Sequence, residues 1–196
     1  MKLRALDAIM VSLFVALTAI GSSMTFPLYP VPITLQTFFT YLAGAILGSR
    51  PGALSQLVYV LLGCIGLPVF AGGKAGFGVL LGPTGGYLMG FTFSAFVIGG
   101  LCEAKQNPSF AWILTSMIIG TAVIYAVGAV QLSLWMRSSF AETILWSIAP
   151  FLIGDSIKTL MASLVTLKIR KILPYSRMER NIRERTLKLS VSQATG

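Results

Sequence analysis

The segment PFLIGDSIKTLMASL, Pro150–Leu164, places an acid and a base three residues apart inside an apolar run. On a helix that spacing points Asp155 and Lys158 to the same face. Each charge costs about 2.5–3.5 kcal/mol at the centre of a bilayer on insertion scales, so such groups face a bundle interior and pair. One reading is an ion pair that only locks two helices, as in a structural or assembly protein. The other is a pair that holds a small polar solute. Asp155 would accept N–H groups, and Lys158 would donate to a carbonyl or carboxylate oxygen. A third reading, an integral membrane enzyme, would need a nucleophile or a metal nearby. The chain has no His, no HExxH and no carboxylate cluster, so no catalytic residue, metal or cofactor is assigned. Pro150 and Gly154 precede the pair and are expected to loosen its helix.

Other polar and aromatic groups could reach the same cavity. Thr34 ends the proline-rich stretch Thr25–Thr34, and Gln36 and Thr37 follow it. The stretch Pro68–Tyr87 is rich in glycine, which allows close approach of backbone to a ligand. It lacks GxxxxGK[ST] and is no phosphate loop. Phe70, Phe77 and Tyr87 could stack on an apolar ring system or simply pack. Lys74 could meet a ligand anion or remain a solvated loop lysine.

The elements that must position these groups are membrane helices. Of 196 residues, 55% are hydrophobic and 11% charged, and the mean hydropathy is +0.82. A soluble domain carries roughly 25% charge. No charged residue lies between Asp7 and Arg50, between Arg50 and Lys74, between Lys74 and Glu103, or between Lys105 and Arg137. A spanning helix needs about 20 apolar residues. The expected segments are Leu6–Met24, Thr34–Leu47, Gly52–Gly66, Gly85–Leu101, Ala111–Trp135 and Leu145–Leu167. The fold class is therefore all-α, a polytopic membrane protein with six transmembrane helices. Residues 1–172 form the membrane domain and 173–196 a basic cytoplasmic tail. Arg50-Pro51-Gly52 is expected as a tight turn, and Leu67–Pro83 as a loop or broken re-entrant element lining a cavity. The N-terminal run reads as a first span, not as a cleaved signal.

The net charge of +9 does not imply nucleic acid, because eight of the fifteen Lys/Arg lie between Lys168 and Lys188, behind the last apolar run. Such a tail suits anionic lipid. With the N-terminus inside, Lys2, Arg4, Arg50, Lys105 and those eight make twelve inside charges, against Lys74 and Arg137 outside. The positive-inside rule then puts both termini in the cytoplasm. Trp112, Trp135 and Trp146 fall near span ends, and Glu103 and Glu142 are expected at the interface. Cys64 and Cys102 belong to no CxxC and read as small apolar residues.

Small residues recur every four positions in three spans: Ala8, Ser12 and Ala16; Gly86, Gly90 and Ser94; Gly44 and Gly48. Such stripes serve close helix packing within the chain or docking against another membrane protein. The first-span stripe is the best docking candidate.

Four ordered motifs give the chain a resemblance to the BioY family, the biotin-binding S components of energy-coupling factor (ECF) transporters. They are VPITLQT (Val31–Thr37), GLPVFAGG (Gly66–Gly73), LLGPTGGYLMGF (Leu80–Phe91) and PFLIGDSIK (Pro150–Lys158). The resemblance covers roughly residues 5–170. It implies an S-component-like six-helix bundle that binds biotin on the extracytoplasmic side. It implies Asp155 against the ureido N–H groups and Lys158 near the ureido oxygen, with the carboxylate as another partner for Lys158. Thr34 and Gln36 match the loop motif, and Tyr87 closes GPTGGY. It further implies a membrane coupling subunit, docked on the Ala8–Ser12–Ala16 face, and two ATPase subunits. The chain has no Walker motif of its own. A solitary transporter without ATPase partners remains open.

Overall fold

The computed structural model describes residues 5–137 and 149–172. Its elements are α1 (Ala5–Ser23), the paired strands β1 (Thr25–Phe26) and β2 (Ile33–Thr34), α2 (Gln36–Leu47) and α3 (Ser49–Cys64). A 3-10 turn (Ala71–Gly73), α4 (Gly78–Leu81), α5 (Gly85–Glu103), α6 (Phe110–Met136) and α7 (Ala149–Ile172) follow. The expectation of an all-α chain needs one small correction. The prolines of Thr25–Thr34 bar a helix there, and the extended backbone pairs Thr25 with Thr34 and Phe26 with Ile33.

Three helices among the described residues are long and apolar enough to cross a membrane: α1, α5 and α6. The 12-residue α2 is about 18 Å long at 1.5 Å per residue, well short of a hydrocarbon core about 30 Å thick. The 16-residue α3 is about 24 Å. The 24-residue α7 has the length, but it carries Asp155 and Lys158 inside and Lys168, Arg170 and Lys171 at its end. The expected fourth, fifth and sixth segments correspond to α5, α6 and α7. Pro150 does not break α7, because it lies in the first turn, where a missing N–H costs nothing, and the helix runs on through Gly154.

The expected turn at Arg50-Pro51-Gly52 lies a few residues earlier. Gly48 adopts φ 92°, and α3 begins at Ser49, with Pro51 in its first turn. A carboxylate from another helix completes this start. Glu103, at the end of α5, accepts the Ser49 backbone N–H at 2.8 Å and its hydroxyl at 2.8 Å. A negative group at a helix N-terminus is stabilising. A Cβ on Gly48 would strike that carboxylate.

α5 is the hub and packs against α2, α3 and α6, while α7 packs against α2 and α6. The glycine stripes explain how close these helices come. A Cβ on Gly44 would sit 2.6 Å from the Ala95 carbonyl oxygen, and one on Gly86 would sit 2.6 Å from that of Val127. Both stripes therefore serve internal packing. Ala8, Ser12 and Ala16 differ, since all three are exposed on the outer face of α1. Of the cysteines, Cys102 is buried and Cys64 partly so. Trp112 donates its indole N–H to the Leu101 carbonyl at 2.8 Å, and the Lys105 ammonium lies 3.8 Å from its ring centroid. The tail 173–196, Glu142 and Trp146 lie outside the described residues.

The Gly44 contact yields a stability prediction. Gly44→Ala should cost about 1–3 kcal/mol, because the two nearest facing atoms, the Ala95 carbonyl oxygen and Cα, are backbone and cannot rotate away. Gly100, on α5, has open space where its Cβ would point, so Gly100→Ala should cost nothing. Thermal unfolding of the two variants in detergent reads the contrast.

Candidate ligand-binding site

A chamber opens at the end of the bundle where β2, the start of α2, the 3-10 turn and the starts of α5 and α7 meet. Counting its mouth, it holds about 660 Å³ of empty space. Asp155 and Lys158 form one wall and are 4% and 8% exposed. The ammonium donates to Asp155 Oδ1 at 2.9 Å, so the i,i+3 spacing does put the two groups together. The hydroxyl of Thr37, on α2, lies 3.3 Å from both Lys158 Nζ and Asp155 Oδ1. Tyr125, on α6, donates to Asp155 Oδ2 at 2.7 Å.

This set of contacts has two consequences. The carboxylate joins α2, α6 and α7 through one group. The pair is also closed on itself, as the helix-lock reading required, yet it borders open space and does not fill it. An ammonium carries three N–H donors. Among the described residues Asp155 and Thr37 engage two of them, which leaves one for a guest.

Lining residues place most of the sequence-derived candidates in one chamber: Thr34, Gln36, Thr37, Phe70, Lys74, Tyr87, Asp155 and Lys158 all border it. Phe77 does not; it is 61% exposed on the surface. Lys74 is exposed at the mouth, and Phe70 is buried beneath it. Tyr87 lies near Phe151, with ring centroids 6.5 Å apart.

The loop or broken element expected over Leu67–Pro83 does line the cavity, through Phe70, Ala71, Lys74 and Val79. Its backbone is held from both sides. Gly76 N–H donates to the Gly63 carbonyl at 2.7 Å, and Gln131 Nε2 reaches the carbonyls of Leu80 at 2.5 Å and Gly82 at 2.9 Å.

Sequence reasoning missed Tyr125 and the apolar walls Phe91, Ile124 and Phe151. Tyr125 lies in a charge-free span, where a lone tyrosine looks like an interfacial or packing residue. Only the fold shows that its hydroxyl meets a buried carboxylate. The chamber thus offers an anion, a cation and hydroxyls on one side and hydrocarbon on the others. It suits a small molecule with a polar head of mixed donors and acceptors and an apolar body. Among the described residues no three of His, Cys, Asp and Glu gather to hold a metal ion.

Comparison with known proteins agrees with this chemistry. The profile of the BioY family matches residues 1–175. Similar proteins include a "Biotin transporter BioY" from Thermotoga maritima, 46% identical over 160 residues, which are 82% of this chain and 93% of that one. Another is a "Probable biotin transporter BioY" from Lysinibacillus sphaericus, 38% identical over 88% of this chain and 90% of that one. The crystal structure of the S-component for biotin from an ECF-type ABC transporter superposes with a TM-score of 0.78 and 29% identity. That match covers 84% of this chain and 90% of the other. The chain is a member of the BioY family.

Proposed function

We propose that this chain mediates biotin uptake, as the membrane-embedded S component of an ECF-type transporter that holds the vitamin in the Asp155–Lys158 chamber. The observation that carries the reading is a buried ion pair on the wall of a mainly apolar cavity, in a chain whose relatives are named biotin transporters. The activity is binding and relocation, with no bond made or broken.

Biotin's ureido group presents two N–H donors and one carbonyl acceptor. Asp155 and Lys158 present the complement: a carboxylate that accepts and an ammonium that donates. The bicycle would lie among Val31, Leu88, Phe91, Ile124 and Phe151, with Phe70 and Tyr87 flanking it. Gln36 and Thr34 stand beside it, and Lys74 at the mouth suits the valerate carboxylate. A charged hydrogen bond in such a site is worth about 1.5–3 kcal/mol.

Six spans make up residues 1–172 in this reading, with α2 and α3 as short members buried by their neighbours. The count of basic residues supports both termini in the cytoplasm and the chamber mouth outside. The basic tail 173–196 then meets anionic lipid. A coupling subunit and two ATPase subunits supply the energy. The exposed small-residue face Ala8, Ser12 and Ala16 supports α1 as the docking helix, because it lets a partner helix approach closely.

Two experiments test the reading. Protein purified in detergent should release biotin, chemically unaltered, on denaturation and mass spectrometry. In a binding titration Asp155→Asn should weaken biotin roughly ten- to hundredfold while the protein inserts and purifies normally. Unchanged affinity would remove Asp155 from the ligand. Tyr125→Phe keeps the ring and loses only the hydroxyl held by the carboxylate. It should weaken binding about three- to tenfold in the same titration.

A further inference from the structure

Tyr59 takes no part in lining the chamber, yet it is 0% exposed, and its hydroxyl lies between two segments that do line it. On one side Gln36 Nε2 donates to that hydroxyl, in a close contact. On the other, the hydroxyl donates to the Val69 carbonyl at 2.8 Å. The chain extends one step further back, where Thr34 donates its hydroxyl to Gln36 Oε1 at 2.8 Å. Every donor in the series Thr34, Gln36, Tyr59, Val69 carbonyl points the same way, which polarises each bond in favour of the next. The ring has a second task. It packs edge-on against Phe70, centroids 5.8 Å apart, and Phe70 rests where Gly63 leaves no Cβ.

The geometry points to Tyr59 as a latch: a positioning residue on α3 that ties the β2–α2 junction (33–36) to the 66–77 segment, so that the two walls of the chamber open and close together. Neither segment is held to the other by a hydrogen bond of its own among the described residues. Each has backbone hydrogen bonds to neighbouring helices, but the link between the two runs through one phenol that uses its acceptor and its donor at once. The phenol is buried away from water, so losing it strands an amide and a carbonyl without solvent to replace it. The coupling stands on these contacts alone. Its consequence for ligand, a slower release of biotin, rests on the proposed function above.

The test is hydrogen exchange of the ligand-free full chain in detergent, comparing wild type with Tyr59→Phe. Exchange should rise about five- to tenfold in 33–36 and in 66–77 together, with the α5–α6 contact unchanged. A rise in only one segment, or in neither, overturns the latch. If Tyr59→Phe does not accumulate, Gln36→Met serves. It must raise exchange in 66–77, a segment with which Gln36 shares no hydrogen bond, and unchanged exchange there overturns the coupling. In a second arm, biotin dissociation from Tyr59→Phe should be about five- to tenfold faster, with association changed less than about twofold. An unchanged dissociation rate overturns the role in release. A wild type that takes up no biotin overturns the ligand reading and leaves the exchange arm to decide the latch.

Discussion

An ion pair buried in an apolar helix cannot be left to itself. The attraction between Asp155 and Lys158 offsets only part of the cost of taking two charges out of water, so the remaining lone pairs and protons must also be met. Thr37 from α2 and Tyr125 from α6 meet part of that need, and through them α7 is tied to both neighbours. Much of the architecture around the chamber answers this requirement. Helices that deliver hydroxyls to one carboxylate must come close, and α5 comes close to α2 and α6 because Gly44 and Gly86 have no side chain to interpose.

The same logic runs through the rest of the core. Lipid tails are as apolar as leucine, so burial of hydrocarbon contributes little to holding membrane helices together, and packing and interhelical hydrogen bonds act in its place. Thr40 of α2 donates to Gln56 of α3 at 3.1 Å, and Gln56 donates to Thr18 of α1 at 3.2 Å. All three residues are buried. This second polar clasp binds the first three helices into a unit. The Tyr59 chain begins at the end of that unit nearest the chamber. Two polar networks thus divide the work: one organises α1–α3, and the other joins α2 to α6 and α7 at the charges.

How far the sequence could be read follows from where each signal is local. Asp155 and Lys158 were legible because two charges in a long apolar run violate the rule for such runs, and their spacing alone sets a common face. Thr34 and Gln36 were legible as polar residues beside a proline stretch, and the Gly/Pro-rich segment as backbone that must line a cavity. Helix positions were legible from charge-free intervals, while their ends were not. Pro51 and Pro150 look like breakers, but in a first turn they are helix starters, and only the position of the start distinguishes the two cases. Tyr125 and Tyr59 were illegible for a different reason. A tyrosine in an apolar helix is ordinary, and its importance here comes from a partner 30 residues away in one case and from residues 23 and 10 away in the other. Phe77 shows the converse, a correct residue type in the right segment that lies exposed just before α4.

The closure of the ion pair on itself bears on selectivity. A guest must compete with an internal contact already made at 2.9 Å. A simple carboxylate could satisfy Lys158 only by leaving Asp155 with a negative neighbour, and a simple amine could satisfy Asp155 only by crowding Lys158. In the proposed binding mode each would meet a repulsive element as well as an attractive one, which would disfavour wrong ligands. A neutral group with adjacent N–H and C=O functions meets both partners at once and leaves neither charge stranded in hydrocarbon. A cyclic urea has that form. The apolar walls add affinity for the rest of the molecule, but they would accept many rings of similar size. In the proposed binding mode discrimination thus falls to two side chains on one turn of α7, contacted by hydroxyls from two other helices.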